Sequence, residues 1–140
     1  MSTFQLKILS ASAAFYEGPC ESLIVPTQDG KRGIMAHHAD AIAAIVPGEL
    51  RYTVPGEQPK LAAVSHGMIK IEHNEVLVLV ETAERPEDID RIRTQQKADA
   101  AREAMLQKQS RREYLETQAQ LARALNRLRV KHHAEHLHLE

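Results

Sequence analysis

The supply of turn-forming residues changes once along this chain, at Pro86. That change restricts it to a strand-dense part followed by a helical part. Upstream, short apolar runs are broken repeatedly by glycine and proline. From 87 to 108 neither occurs, and alanine, glutamine, arginine, lysine and glutamate dominate, all strong helix formers. In the first part Phe4, Leu6 and Ile8 alternate with Gln5 and Lys7, the period-two signal of a half-buried strand. Further strands are predicted over 20–25, 42–46, 50–54, 61–64 and 68–71. Residues 28–33 read as a polar, glycine-punctuated turn and 72–75 as a hairpin tip. The unbroken aliphatic run 76–80 reads as a strand buried on both faces. A turn signal roughly every eight to twelve residues predicts a sandwich or barrel. With no room for crossover helices, the sheet should be mainly antiparallel.

Downstream, Pro86 suits the first turn of a helix, and Glu87, Asp88 and Asp90 suit its positive end. Ile89, Ile92, Ala101, Ala104 and Met105 supply a narrow apolar face. Ser110 and Glu113 match a capping box that opens a second helix. Its stripe is Leu115, Ala119, Ala122 and Leu125, with either Leu121 or Leu128. Two helices of about 20 residues, roughly 30 Å each, joined by so little apolar area should be movable. Residues 131–140 read as a fraying tail that carries His132, His133, His136 and His138.

The 140 residues suffice for one compact domain or a small domain with an appendage, read here as 1–84 and 85–140. The net charge of -1 argues against a dedicated nucleic-acid surface, but it hides -6 over 1–90 and +5 over 91–140. No apolar stretch approaches about 18 residues, so no membrane insertion is expected. The opening residues show no secretory signal. With one cysteine, Cys20, no internal disulfide is possible and a reducing compartment is expected. Tryptophan is absent and aromatics make up 4%, so the core should be aliphatic and thin.

No nucleophile–base arrangement supports a hydrolase. Cys20 lies in an apolar strand and reads as a buried structural thiol. His37 and His38 read as surface or interface residues. His132 and His136, four apart, would suit a transition metal if helical, but a solvated tail is the plainer reading and no metal is expected. Gly30-Lys31 fails as a phosphate loop, since Arg32 stands where Ser or Thr is needed. Asp90 with Arg93, and Arg123 with Arg127, share helix faces that could converge on phosphate oxygens in an antiparallel hairpin; a solvated charged face is the plainer reading.

An ordered set of segments carries a family resemblance. Val25-Pro26-Thr27-Gln28-Asp29-Gly30, Gly33-Ile34-Met35, His38-Ala39 and Val46-Pro47-Gly48-Glu49-Leu50 occur in sequence. Ile69 to Val76, Ala83-Glu84, Ile89-Asp90-Arg91-Ile92-Arg93 and Arg123 to Val130 follow. Together they resemble the epsilon subunits of bacterial F-type ATP synthases over about residues 3–131. Departures are Asp40 for a usual proline, His66-Gly67 for paired glycines, and Thr94 for a usual alanine or serine.

The resemblance implies a β-sandwich of about ten mainly antiparallel strands followed by an antiparallel α-helical hairpin, α+β by content. It implies a non-catalytic central-stalk rotor subunit, bound to gamma and the c-ring and meeting the alpha and beta subunits. Such a subunit is peripheral on the cytoplasmic face of the bacterial inner membrane. It couples proton- or sodium-driven rotation to ATP synthesis and inhibits hydrolysis through its mobile helices. The implied c-ring-facing loops hold Gln28, Asp29, Gly30, Lys31, Arg32, His37 and His38. The implied inhibitory contacts are Arg102, Lys108, Arg111, Arg112, Arg123 and Arg127. No cofactor is required. ATP as a regulatory ligand would use Ile89, Asp90, Arg93, Arg123 and Arg127 with Glu84, and Thr94 and Ala100 depart from that pattern. A purely structural rotor adaptor is the alternative, and a nucleic-acid-binding hairpin is disfavoured because Tyr114 is the basic half's only Phe, Tyr or Trp.

Overall fold

The computed structural model describes residues 2–107 and 110–137. The chain divides into two compact units, Met1–Arg85 and Pro86–Glu140.

The first unit is a sandwich of ten strands: β1 (Phe4–Ser10), β2 (Ala14–Cys20), β3 (Ser22–Thr27), β4 (Gly30–Met35), β5 (Ala41–Ile45), β6 (Gly48–Thr53), β7 (Lys60–Val64), β8 (Gly67–Glu72), β9 (Glu75–Val80) and β10 (Ala83–Glu84). One sheet has the order β2-β1-β9-β8-β5 and the other β10-β7-β6-β3-β4. All pairings are antiparallel except β1 with β9, which runs parallel from Gln5↔Glu75 to Ser10↔Val80. The core lies between the sheets and is mostly aliphatic. Phe4, Leu6 and Ile8 of β1 and Val76, Val78 and Val80 of β9 enter from one side. Leu23, Val25, Ile34, Leu50 and Tyr52 enter from the other.

Three strand expectations are corrected. The strand expected over 20–25 is divided at Glu21: Cys20 ends β2, which already includes Gly18-Pro19 because proline's missing N–H breaks no ladder on an edge strand, and β3 starts at Ser22. Residues 30–33 look like a turn, yet they pair with β3 as the opposite sheet's edge strand β4, whose one buried residue is Ile34. Strand β9 is buried on one face only, since Leu77 is half-buried and Leu79 exposed.

Each strand reverses the direction of the one before, so connections alternate between the sandwich's two ends. One end carries 11–13, 28–29, 46–47, 65–66 and 81–82, tied by Val46 N–H to the Pro26 carbonyl (3.1 Å) and Ser65 N–H to the Thr82 carbonyl (3.1 Å). The opposite end carries 21, 36–40, 54–59 and 73–74. There His73 and Asn74 both take positive φ (52° and 61°), the geometry of a two-residue type I′ hairpin.

The second unit opens with a 3₁₀ turn (Pro86–Asp88), followed by α1 (Arg91–Met105) and α2 (Arg111–Leu137). Asp90 caps α1 and Ser110 caps α2, its Oγ accepting from Glu113 N–H at 3.2 Å. The two helices pack along each other. Their buried residues are small: Thr94, Ala98 and Ala101 on α1, and Ala124, Asn126, Val130 and Ala134 on α2.

Three expectations about the helices are corrected. Ile92 is 73% exposed while Ile89 is buried, because the 3₁₀ turn sets Ile89 outside the α-helix and breaks its i, i+3 relation to Ile92. On α2, Leu115, Ala119 and Ala122 of the expected stripe are exposed, while Leu121, Leu125 and Leu128 are half-buried beside buried Ala124. The stretch 131–137, expected to fray, continues α2. Buried Ala134, a Lys131 Nζ bond to the Pro86 carbonyl (3.1 Å) and an Arg91–Glu135 ion pair hold it.

Candidate functional site

The outer face of the β2-β1-β9-β8-β5 sheet carries aliphatic side chains where a solvated face would be polar. Register places Ala44, Met68, Leu79 and Leu9 in one row across four strands. The next row is Ile42, Lys70, Leu77 and Lys7, and a third is Glu72, Glu75 and Gln5. Ile42 is 71% exposed, Leu79 38% and Met68 37%. A contiguous exposed aliphatic row with a charged rim is the usual mark of a protein-docking face. On that rim Lys70 Nζ lies 2.9 Å from a Glu72 carboxylate oxygen. Their hydrogen bond raises the Lys70 pKa and lowers that of Glu72, so both stay charged. Sequence reasoning missed this face by taking 76–80 as wholly buried. The available signal was Leu77 and Leu79 falling on the opposite parity to Val76, Val78 and Val80.

The residues read as ring-facing do not share one end. Gln28 and Asp29 form the turn between β3 and β4, and Gly30, Lys31 and Arg32 run along edge strand β4. His37 and His38 follow the far end of β4, about 17 Å away at strand rise. Grouping them at a single end is therefore corrected: 30–35 is a strand and not a compact loop. Around His37, which has φ 64°, the backbone is tied down. His37 N–H donates to Asn74 Oδ1 (2.7 Å), His73 N–H to Asp40 Oδ1 (3.1 Å), and Asn74 Nδ2 to the Thr3 carbonyl (3.0 Å). His38 Nδ1 lies 2.6 Å from the Ala39 carbonyl oxygen. On the 28–29 side, Lys31 and Glu49 form a loose pair at 3.7 Å.

In the helical unit, Asp90 Oδ1 accepts from Arg93 N–H at 3.0 Å, so that oxygen is committed to the cap. Ile89 and Thr94 are buried, Arg93 and Arg123 exposed, and Arg127 half-buried. The Arg91–Glu135 pair ties the start of α1 to the end of α2. Glu84 lies on β10, in the sandwich unit. Among the basic residues read as inhibitory contacts, Arg102 pairs with Asp99 (3.6 Å) and Arg112 with Glu116 (3.3 Å). Arg111 is exposed, and Lys108 lies outside the described residues.

Comparison with known proteins matches both units. The beta-sandwich domain of the ATP synthase delta/epsilon chain matches residues 3–86, and the long alpha-helix domain of the same chain matches 87–132. The chain is 39% identical over 128 residues to ATP synthase epsilon chain 1 of Methylococcus capsulatus, covering 91% of each. It is 37% identical to the ATP synthase epsilon chain of Ruminiclostridium cellulolyticum, covering 91% of this chain and 95% of that one. A chain of the Euglena gracilis mitochondrial ATP synthase, in an OSCP/F1/c-ring assembly, shares the fold at a TM-score of 0.77 with 19% identity, over 86% of this chain and 76% of that one. With two family domains spanning nearly all its length and bacterial relatives this similar end to end, the chain belongs to the epsilon chains of ATP synthase.

Proposed function

We propose that this chain is a non-catalytic rotor subunit of the central stalk. It docks on gamma through the outer face of the β2-β1-β9-β8-β5 sheet and on the c-ring through the sandwich end that carries 28–29. The observation that carries this reading is the apolar row of exposed Ala44, Met68 and Leu79 with half-buried Leu9. A rotor joint must transmit torque without slipping, and a broad apolar contact with a charged rim does so without mobile parts. No helix among the described residues is long and apolar enough to cross a membrane, which fits attachment through partner subunits. The expected location is the cytoplasmic face of the bacterial inner membrane. The test is capture of purified gamma by the full chain. Leu79→Glu and Met68→Glu should each weaken capture by about tenfold or more while leaving circular dichroism unchanged. Undiminished capture by both variants would remove this face from the proposal.

The helical unit supports a regulatory role. Its buried helix residues are mostly small, and it carries the basic excess suited to acidic surfaces on alpha and beta. In this reading α1 and α2 leave their packed pose to inhibit ATP hydrolysis, and ATP acts as a ligand that retains it. A ligand at a hundredfold excess over Kd would add about 2.7 kcal/mol to the form it binds. One observation favours the adaptor alternative: an Asp90 oxygen is committed to the α1 cap. Thermal melting with millimolar ATP separates the two. A sensor gains stability and loses the gain in Arg93→Ala; an adaptor gains none.

A further inference from the structure

His132 and His136 lie four residues apart on a helix that continues to Leu137, so they share one face. Both are exposed. Their rings stand 4.1 Å apart, centroid to centroid, tilted by 46°. His136 Nδ1 lies 2.9 Å from the His132 carbonyl oxygen. A carbonyl only accepts, so Nδ1 carries the proton and the neutral ring presents its lone pair at Nε2. A ring nitrogen held by a backbone carbonyl, with the other left open, is the usual arrangement of a metal-binding histidine.

The helix beneath them is held in place. Val130 and Ala134 are buried, Lys131 Nζ donates to the Pro86 carbonyl, and Glu135 pairs with Arg91. The two rings therefore project from a fixed backbone. We propose that His132 and His136 form a two-histidine site for a borderline divalent transition metal of the zinc class, with water completing its coordination. Two histidines one helical turn apart on the same face can each place a ring nitrogen at the about 2.0–2.1 Å of a zinc–imidazole bond. No group of three ligating side chains occurs among the described residues, so the site is open and the ion exchangeable. An ion that bridges one helical turn opposes fraying of the residues that join α2 to the start of the helical unit.

The test is calorimetric titration of the full chain with zinc chloride alone, alongside thermal melting followed at 222 nm. The expected result is one ion per chain and a higher melting temperature. His132→Ala and His136→Ala should each weaken binding by about tenfold or more. The double change His37→Ala with His38→Ala should leave binding intact. Both tail positions are exposed and alanine is a strong helix former, so the variants keep the helix. Imidazole resonances of His132 and His136 should shift together as zinc is added. No binding heat, or unchanged affinity in either tail variant, overturns the site, as does a loss confined to the loop variant.

Discussion

At the residue scale, burial decides which groups can react. Cys20 is fully buried, and its Sγ–H donates to the Ser22 carbonyl at 3.1 Å. Burial pushes its pKa up, so little thiolate is available. We expect no reaction with an aromatic disulfide reagent in the native state and one thiol released in denaturant, read as thiolate absorbance. Glu135 shows the opposite shift: its hydrogen bond to Arg91 holds the carboxyl below its ordinary value of 4.5. A depressed carboxyl stabilises the fold above its unfolded pKa and loses that effect as pH falls through the folded one. Glu135→Gln should therefore melt below wild type at neutral pH, and the gap should close in acid. The Asp90 cap is local, and Asp90→Ala should cost about 1 kcal/mol in chemical denaturation. The Ser110 cap was legible in sequence because a cap acts within three residues; Asp90 was read as a first-turn acid, and its capping role follows from α1 starting at Arg91. The Arg91–Glu135 pair was not, since only the tertiary register brings positions 44 apart together.

At the element scale, the β8–β9 pairing depends on one residue without a side chain. A Cβ built on Gly67 would run into the Leu79 backbone carbonyl and stand 2.7 Å from Val80 Cα. Gly67→Ala should destabilise the sandwich by about 3 kcal/mol in denaturant titration, because backbone must move to admit it. Strands with an inward apolar alternation, such as Phe4–Ile8, could be read directly. Strand β4 could not, because an edge strand can leave Lys31 and Arg32 in solvent and so looks like a loop. The helix faces were legible in existence and rotated in detail. The sequence does not show that a 3₁₀ turn precedes α1, and one changed turn moves Ile92 from the expected seam to solvent.

At the scale of the whole molecule, the change of pattern at Pro86 carries the architecture, and the charge split narrows to -3 and +2 between the two units because Glu87, Asp88 and Asp90 open the helical one. The candidate site was less legible than the fold. Its aliphatic row is assembled from four strands, and no sequence window contains Leu9, Ala44, Met68 and Leu79 together. The parallel β1–β9 pair makes the sandwich all-or-none. A chain cut after Asn74 should lack protected amides in β1 and β8, while one cut after Arg85 should protect both, as read by hydrogen exchange. The same pair sets a schedule during synthesis. Gln5 is made early, and its partner Glu75 arrives about 70 residues later, about 4–14 s at ordinary translation speeds. In that interval β1 has only the β2 hairpin, which is marginal alone. Phe4, Leu6 and Ile8 thus wait for seconds beside the ribosome without a core to enter, the window in which a nascent chain most needs a chaperone.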